Sequence, residues 1–305
     1  MRFLAIILLA SLACGVGSAS AAEYWLFYLG GQSNMDGYGQ NGELPADLQK
    51  PIEGVRMFLG NHSADGQPVD GQGEWAELKP GYGMDYRYQN GQATLGQRFG
   101  VELTFAKKLR EAFPDQKIAL LKYSRGGTSI DDASARNFGS WDPAFEGGEG
   151  AGKGVNQYDH FLAAVRNAYA VGDIDGDGEA DTLVPKGILW MQGESDGDVS
   201  EESAKRYRAK LGELMNLIRA AFRHDDLPVV VGRISDSGND PSGKVWEWGD
   251  VIREAQASFA QEDGHAALVG STDDYGYSDP WHYDSAGYID LGSEFAEATI
   301  GLMKK

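Results

Sequence analysis

Short apolar runs alternate with longer amphipathic segments along most of the chain, and this alternation constrains the fold more than any other feature. The apolar runs predict strands at 25–29, 117–123, 187–191, 227–231 and 266–270, and helical periodicity predicts helices at 99–109, 161–170, 201–222, 251–259 and 285–303. Strands joined through helices run parallel and are buried on both faces. We therefore predict a three-layer α/β fold with about five parallel strands.

The length of 305 residues fits one large domain, and no change in composition marks a linker. We predict a single domain over residues 23–305. Residues 61–96 are rich in Gly, Gln and Asp and show little periodicity. We expect long loops there, of the kind that line functional sites.

The first 22 residues have the pattern of an export signal. Arg2 supplies a positive charge, residues 3–13 are apolar, and small residues at 19–22 suit a cleavage site. The apolar run is too short to span a bilayer. We predict a signal peptide at 1–22, an exported protein that is periplasmic or extracellular, and no membrane anchor after cleavage. A buried helix and a lipid anchor at Cys14 are the alternatives.

The charge balance excludes several kinds of partner. Asp and Glu number 46 against 27 Lys and Arg, so the net charge is −19. Nucleic acids and anionic membranes need basic surfaces, and we expect neither as a partner. The oligomeric state cannot be predicted from these features.

Polar segments follow three of the predicted strands, at 30–37, 124–130 and 192–196, and a fourth at 278–282 precedes the last helix. In parallel sheets, functional groups gather at the carboxyl ends of the strands. A serine hydrolase needs a nucleophile, a histidine base, a carboxylate that orients it and donors for the oxyanion. Ser33, His282 and Asp279 have the chemistry of the first three.

The candidate oxyanion donors are the backbone N–H groups of Ser33 and of Gly126 or Gly127, and the side-chain amide of Gln192. Each of these assignments has an ordinary alternative. A serine in a Gly-rich turn is often only a turn residue, and a lone histidine near a chain end is often solvated. Joint placement at the strand ends favours a site.

Four motifs occur in order along the mature chain. They are Gly31-Gln32-Ser33-Asn34-Met35 with Gly37, Gly126-Gly127-Thr128-Ser129-Ile130, Trp190-Met191-Gln192-Gly193-Glu194-Ser195-Asp196 and Asp279-Pro280-Trp281-His282. Together they resemble the sialate O-acetylesterase-type family, which is similar to carbohydrate esterase family six within the SGNH hydrolase superfamily. The resemblance covers nearly all of the mature chain.

The resemblance implies a flavodoxin-like α/β/α sandwich and removal of acetyl groups from sugars. It implies Ser33 as nucleophile, His282 as base and Asp279 as its orienting carboxylate, with Gln192 in the role of the superfamily's Asn. Asn34 and Glu194 are expected in supporting roles, and Glu194 is the alternative partner of His282. Asp284 is the predicted N-cap of the last helix.

One departure from the family concerns the Gly126–Ile130 motif. In many relatives a Trp follows that motif closely, whereas here Asp131 and Asp132 follow and the nearest Trp is Trp141. Substrate contacts around this loop therefore cannot be carried over.

An acidic segment resembles the first half of a calcium-binding loop, with acids at alternate positions and a Gly at the sixth. Its acids are Asp173, Asp175, Asp177, Glu179 and Asp181. The twelfth position is Val184, which cannot supply the usual bidentate ligand. A structural calcium ion and a solvated acidic turn are therefore both open, and no cofactor is expected for catalysis.

The leading hypothesis is an exported serine esterase that deacetylates carbohydrate such as xylan or sialic acid. The alternatives are a lipase or aryl esterase of the same superfamily and a non-catalytic glycan-binding module. Scattered loop aromatics favour a sugar over a lipid substrate. These are Trp75, Tyr82, Tyr86, Tyr88 and Trp141.

Overall fold

A computed structural model of the chain describes residues 21–61, 70–147 and 155–304. The strands are β1 Glu23–Gly31, β2 Gly39–Gln40, β3 Val55–Leu59, β4 Ala76–Glu77, β5 Arg87–Gln89, β6 Gln92–Thr94, β7 Arg98–Phe99, β8 Lys117–Ser124, β9 Thr182–Met191, β10 Val229–Gly232 and β11 Ala266–Val269. The helices are α1 Ser33–Asp36, α2 Glu102–Ala112, α3 Gln157–Ala170, α4 Glu194–Val199, α5 Glu201–Ala221, α6 Gly249–Glu262 and α7 Ser285–Met303. Short 3₁₀ turns lie at Asn41–Glu43, Asp132–Ser134 and Ser271–Asp274.

The main sheet has the strand order β11-β10-β9-β1-β8-β3-β4. All neighbours pair in parallel except β4, which runs antiparallel to β3. The described residues thus contain six parallel strands rather than the predicted five. The additional strand is β3, where Arg56 interrupts the apolar run and weakens its signal. The guanidinium of Arg56 is accommodated by a hydrogen bond to the Asp175 carbonyl.

Consecutive residues of the central strand show why the molecule has three layers. Phe27 packs edge-on against Phe105 of α2, with ring centroids 5.3 Å apart. Tyr28 points to the other face and packs against Phe161 of α3 at 4.7 Å. Helix α7 packs beside α2, and α5 packs beside α6. Helices therefore cover both faces, which confirms the predicted α/β/α architecture.

The predicted strands and helices are all found, with boundaries shifted by a few residues. The last helix begins and ends as predicted, and the Asp284 carboxylate caps it by accepting the N–H of Gly287 at 2.8 Å. Segment 61–96, expected as loops, also contains β4 and the β5–β6 hairpin. The predicted signal peptide lies largely outside the described residues and stays a prediction. Of the helices described, none combines the length and apolarity needed to cross a membrane.

The centre of the sheet fixes where a site can form. Strand β1 lies between β8 and β9, and the connection from β8 to β9 passes over it. The residues that follow these three strands therefore meet at one edge, where the first three polar segments were predicted to converge.

Candidate active site

Ser33 lies at the sharp turn between β1 and the short helix α1. Gly31 has φ +138°, and a Cβ there would come within 2.0 Å of the Met191 carbonyl oxygen, so only glycine fits. The N–H of Gln32 donates to that same carbonyl at 2.8 Å. Ser33 is the first residue of the helix and keeps 8% of its surface exposed. The turn presents the Ser33 hydroxyl at the strand end.

His282 and Asp279 form a hydrogen-bonded pair within one turn. The Nδ1 atom of His282 lies 2.7 Å from Oδ2 of Asp279, and Oδ1 accepts the N–H groups of Trp281 and His282 at 2.8 and 2.9 Å. Partial burial pushes the pKa of Asp279 upward. The hydrogen bonds from His282 and the two amides outweigh it and lower the pKa below its ordinary value. Asp279 is thus held as a carboxylate facing the imidazole.

Asn34 joins the serine turn to the histidine turn. Its side-chain nitrogen donates to the Trp281 carbonyl at 3.1 Å, and its oxygen accepts the Tyr283 N–H at 3.4 Å and the Tyr288 hydroxyl at 2.8 Å. The residue after Ser33 is therefore bonded to both neighbours of His282. The two ends of the chain meet at one site, as the sequence hypothesis requires.

Tyr38 fixes the plane of the imidazole. Its ring stacks on that of His282 with centroids 3.5 Å apart and planes 6° from parallel. Burial, followed by the nearby carboxylates of Asp36 and Asp279, raises the pKa of Tyr38 to about 12, so the stacked phenol is neutral. No sequence pattern indicates this contact, because Tyr38 and His282 are far apart along the chain.

The loop after β8 packs directly against the serine. A Cβ placed on Gly126 would lie 3.1 Å from the Cβ of Ser33. The N–H of Gly126 donates to Oδ2 of Asp36 at 2.8 Å, and the Ser124 hydroxyl donates to Oδ1. The Gly126 N–H is therefore already engaged by a carboxylate. Within the described residues, the N–H groups of Ser33 and Gly127 donate to no protein acceptor.

Gln192 is buried and its amide is saturated. The amide nitrogen lies 3.0 Å from the Thr128 carbonyl and 2.6 Å from Oδ2 of Asp196, and Oε1 lies 3.0 Å from the Tyr207 hydroxyl. An amide has two hydrogens, and both have acceptors here. This geometry argues against the predicted role of Gln192 as a direct oxyanion donor.

Asp196 links the second and third motifs. Its carboxylate accepts the N–H groups of Ile130 and Asp131 at 3.0 Å each, in addition to the amide of Gln192. Burial raises the pKa of Asp196 to about 7, although these hydrogen bonds oppose the rise. A buried carboxyl thus holds the Gly126–Ile130 loop against the end of β9.

The raised pKa predicts a pH-dependent stability. At pH values between the ordinary 3.8 and about 7, the unfolded carboxyl is ionised and the folded one is protonated. Folding then takes up a proton, so the stability from Asp196 is lost as pH rises through 7. As the pH is raised from about 5 to 8, we expect the free energy of unfolding of the wild type to fall by up to about 3 kcal/mol relative to that of Asp196→Asn.

Urea unfolding of both proteins at several pH values measures this difference. The hydrogen bonds that Asn cannot reproduce add a constant offset, so the slope with pH is the readout. A difference in the free energy of unfolding between the two proteins that stays constant with pH would contradict a raised pKa of Asp196. So would a wild type that becomes relatively more stable as pH rises.

Glu194 faces the serine turn rather than the imidazole. Its Oε1 accepts from the Asn34 side chain at 2.8 Å, and the Nδ1 of His282 is bonded to Asp279 instead. Burial raises the pKa of Glu194, against the opposing effect of the Asn34 hydrogen bond. Glu194 thus contacts Asn34, and the supporting roles of both residues stay a prediction.

The acidic loop brings together three of its five candidate ligands. Carboxylate oxygens of Asp173, Asp175 and Asp177 lie within 4.8 Å of one another. Asp181 instead accepts the N–H groups of Ala22 and Ile174. Glu179 is exposed and lies outside the cluster.

A lysine ammonium group forms an ion pair with one carboxylate of this cluster. Lys117 Nζ lies 2.8 Å from Asp175 Oδ2, and this contact lowers the pKa of Asp175. The carboxylates of this cluster consequently repel one another less than three isolated charges would. Calcium binding at Asp173, Asp175 and Asp177 stays a prediction.

Most of the loop aromatics that were expected to contact sugar belong to the core. Tyr82 and Tyr86 are buried, and Trp141 is buried with its indole N–H donating to the Thr128 hydroxyl at 2.9 Å. Trp75 and Tyr88 pack against the core. The sequence could not distinguish these from surface aromatics, because irregular loops carry no periodicity that marks their buried side.

Comparisons with known proteins identify the family and the fold. A family model described as carbohydrate esterase, sialic acid-specific acetylesterase, matches residues 23–301. A comparison with curated proteins finds no match. Solved structures that share the fold include a protein from Arabidopsis thaliana, with a TM-score of 0.63 and 18% identity over 92% of this chain and 99% of that one.

Two further structures share the fold. A carbohydrate acetylesterase from Xanthomonas citri has a TM-score of 0.60 and 19% identity over 91% of this chain, which spans only 56% of that protein. NanS has a TM-score of 0.57 and 17% identity over 94% of this chain and 99% of its own. Because the family model covers nearly the whole described chain, this protein belongs to the family of sialic acid-specific carbohydrate acetylesterases and is a carboxylic ester hydrolase.

Proposed function

We propose that this enzyme removes O-acetyl groups from carbohydrate through an acetyl-enzyme formed on Ser33. The observation that carries the proposal is the Asn34 bridge, which ties the residue after Ser33 to both neighbours of His282. A serine hydrolase needs this juxtaposition, and a glycan-binding module has no use for it.

In the first step, His282 takes the proton of the Ser33 hydroxyl as the oxygen attacks the acetyl carbonyl. Asp279 accepts from Nδ1, so Nε2 is the nitrogen that receives the proton. The carboxylate then stabilises the imidazolium that forms, and the Tyr38 ring limits its rotation. Cation–π attraction from the neutral phenol adds to this stabilisation.

The negative charge on the carbonyl oxygen is stabilised by the N–H groups of Ser33 and Gly127, which have no protein acceptor among the described residues. Loss of one such donor costs about 100- to 1000-fold in rate. Gly126, Gln192 and Asp196 hold the loop that carries the Gly127 N–H. Their role is therefore to position the donor.

The tetrahedral intermediate then collapses. The bond to the sugar oxygen breaks, and His282 gives its proton to that oxygen as the sugar alcohol leaves. A water molecule attacks the acetyl-serine with His282 again as the base, and acetate and free Ser33 result. Both steps use the same base, His282, and water is the second substrate.

The proposal is tested by acetate release from three esters: acetylated xylan, O-acetylated sialic acid and p-nitrophenyl acetate. We expect the wild type to cleave at least one acetylated carbohydrate with a higher kcat/KM than the aryl ester. Ser33→Ala should lower the rate of acetate release by about 10⁶-fold. Efficient cleavage of the aryl ester with no acetate from either carbohydrate would instead indicate an aryl esterase.

A further inference from the structure

Two exposed aromatic rings, Phe138 and Trp281, lie close to the residues of the candidate site. Among the described residues, five large apolar side chains stand out as exposed: Phe138, Leu162, Tyr169, Val171 and Trp281. Three of them lie on α3 or directly after it. Phe138 and Trp281 lie on loops, and each loop belongs to the candidate site. Exposed apolar surface at a functional site commonly marks a place where a ligand binds.

Phe138 lies over the loop that carries the Gly127 N–H. A Cβ on Gly127, which has φ +75°, would come 2.5 Å from the Phe138 ring. The guanidinium of Arg125 lies over that ring, 5.1 Å from its centroid. The ring is thus supported by protein on one face, yet 44% of the residue is exposed. Part of the Phe138 side chain therefore remains accessible to a ligand.

Trp281 directly precedes His282 in the chain. Its N–H donates to Asp279 at 2.8 Å and its carbonyl accepts from Asn34 at 3.1 Å, so its backbone is fixed to the machinery of the site. The indole lies edge-on to the His282 ring, with centroids 6.4 Å apart. Half of the residue, 50%, is exposed.

A chain of contacts connects both residues to neighbours of the same serine. Phe138 contacts Gly127, and the adjacent Gly126 packs on Ser33. Likewise, Asn34, which follows Ser33, binds Trp281. Both aromatic residues are therefore within two contacts of Ser33.

We propose that Phe138 and Trp281 form the walls that hold the pyranose ring bearing the acetyl ester, and so determine specificity for sugar acetates. This inference rests on the proposed function. The C–H faces of a pyranose are apolar and pack on flat aromatic rings, while its hydroxyls stay in water at the rim. Small acyclic acetates are too short to contact both walls.

The test compares two substrates on four variants. The substrates are an O-acetylated methyl xylopyranoside and ethyl acetate, which shares the acetyl group but has no ring. The variants are Phe138→Ala, Trp281→Ala, the conservative Trp281→Phe and the control Tyr169→Ala. Tyr169 is an equally exposed aromatic near the end of α3, at the opposite edge of the sheet, where β9 begins.

We expect each alanine variant to lower kcat/KM for the sugar acetate by about tenfold, mainly through KM. Their loss of kcat/KM for ethyl acetate should be smaller, because ethyl acetate has no ring to pack on either side chain, so the ratio of kcat/KM for the sugar acetate to kcat/KM for ethyl acetate is the readout. Trp281→Phe should recover most of the loss, and Tyr169→Ala should lose nothing.

Two outcomes would overturn the inference. An equal loss on both substrates would mean that the rings support the catalytic loops instead of the sugar. Unchanged kinetics on the sugar acetate would mean that it does not contact them. Failure of the wild type to cleave any sugar acetate, with ethyl acetate still cleaved, would instead refute the proposed function on which the inference rests.

Discussion

Replacement of Ser33 by Ala is expected to lower kcat for acetate release by about 10⁶-fold, to a rate set by binding and the oxyanion donors alone. His282→Ala should lose a similar amount, because the serine hydroxyl is a poor nucleophile without a base. The double variant should lose no more than either single one, since the two residues act as a unit. Steady-state and single-turnover acetate release measure these losses.

The hydrogen bond between Asp279 and His282 predicts a further loss of activity when the orienting carboxylate is changed. Asp279→Asn keeps the shape but favours the wrong tautomer of the imidazole, and we expect kcat to fall about 10⁴-fold. Glu194→Gln is the matched control, because it alters the competing carboxylate without touching Nδ1. A larger loss in Glu194→Gln than in Asp279→Asn would reverse the assignment of the orienting carboxylate.

Replacement of Lys122 by Met is expected to lower the free energy of unfolding by about 3–5 kcal/mol. Lys122 is buried in β8, and its Nζ donates to Glu102 Oε2 at 3.1 Å and to the carbonyls of Asp36 and Tyr82 at 2.8 and 2.9 Å. The change leaves the fully buried Glu102 charge without its partner. Removing one member of a buried ion pair lowers the free energy of unfolding by far more than the intact pair contributes to it.

Urea unfolding measures this loss of stability, and two other variants serve as comparisons for its size. Lys107→Met breaks ion pairs with Asp47 and Glu111 that are exposed, so it should cost at most about 1 kcal/mol. The double variant Lys122→Met/Glu102→Leu should recover part of the loss, because no unpaired charge remains. A loss in Lys122→Met no larger than in Lys107→Met would contradict the burial of the charge.

The fold could be predicted because its signals are local. A mainly apolar run such as 117–123 indicates a buried strand whatever lies beside it in the fold. Asp284 is likewise recognisable from the sequence as an N-cap, since it comes four residues before Tyr288 at the start of the last helical segment. Strand β3 was not predicted, because Arg56 interrupts its short apolar run. In the fold, the Arg56 guanidinium donates a hydrogen bond to the Asp175 carbonyl, a contact that the sequence does not indicate.

The residue types of the site were predictable, whereas their hydrogen-bond partners were not. Whether Gly126 or Gly127 has a free N–H depends on Asp36, and whether Gln192 can donate depends on Asp196. These partners become adjacent only when the sheet has formed. The same holds for the stack of Tyr38 on His282 and for the exposure of Phe138, since neither has a periodic signal in its loop.

The central claim is that Ser33 is the nucleophile, activated by an imidazole from the other end of the chain. A fluorophosphonate that reacts with activated serines, followed by peptide mass spectrometry, tests it most directly. We predict a single adduct on the peptide that contains Ser33, and none in His282→Ala or in the urea-unfolded protein. An adduct on another serine, or full acetate release from a protein in which Ser33 is blocked, would contradict the claim.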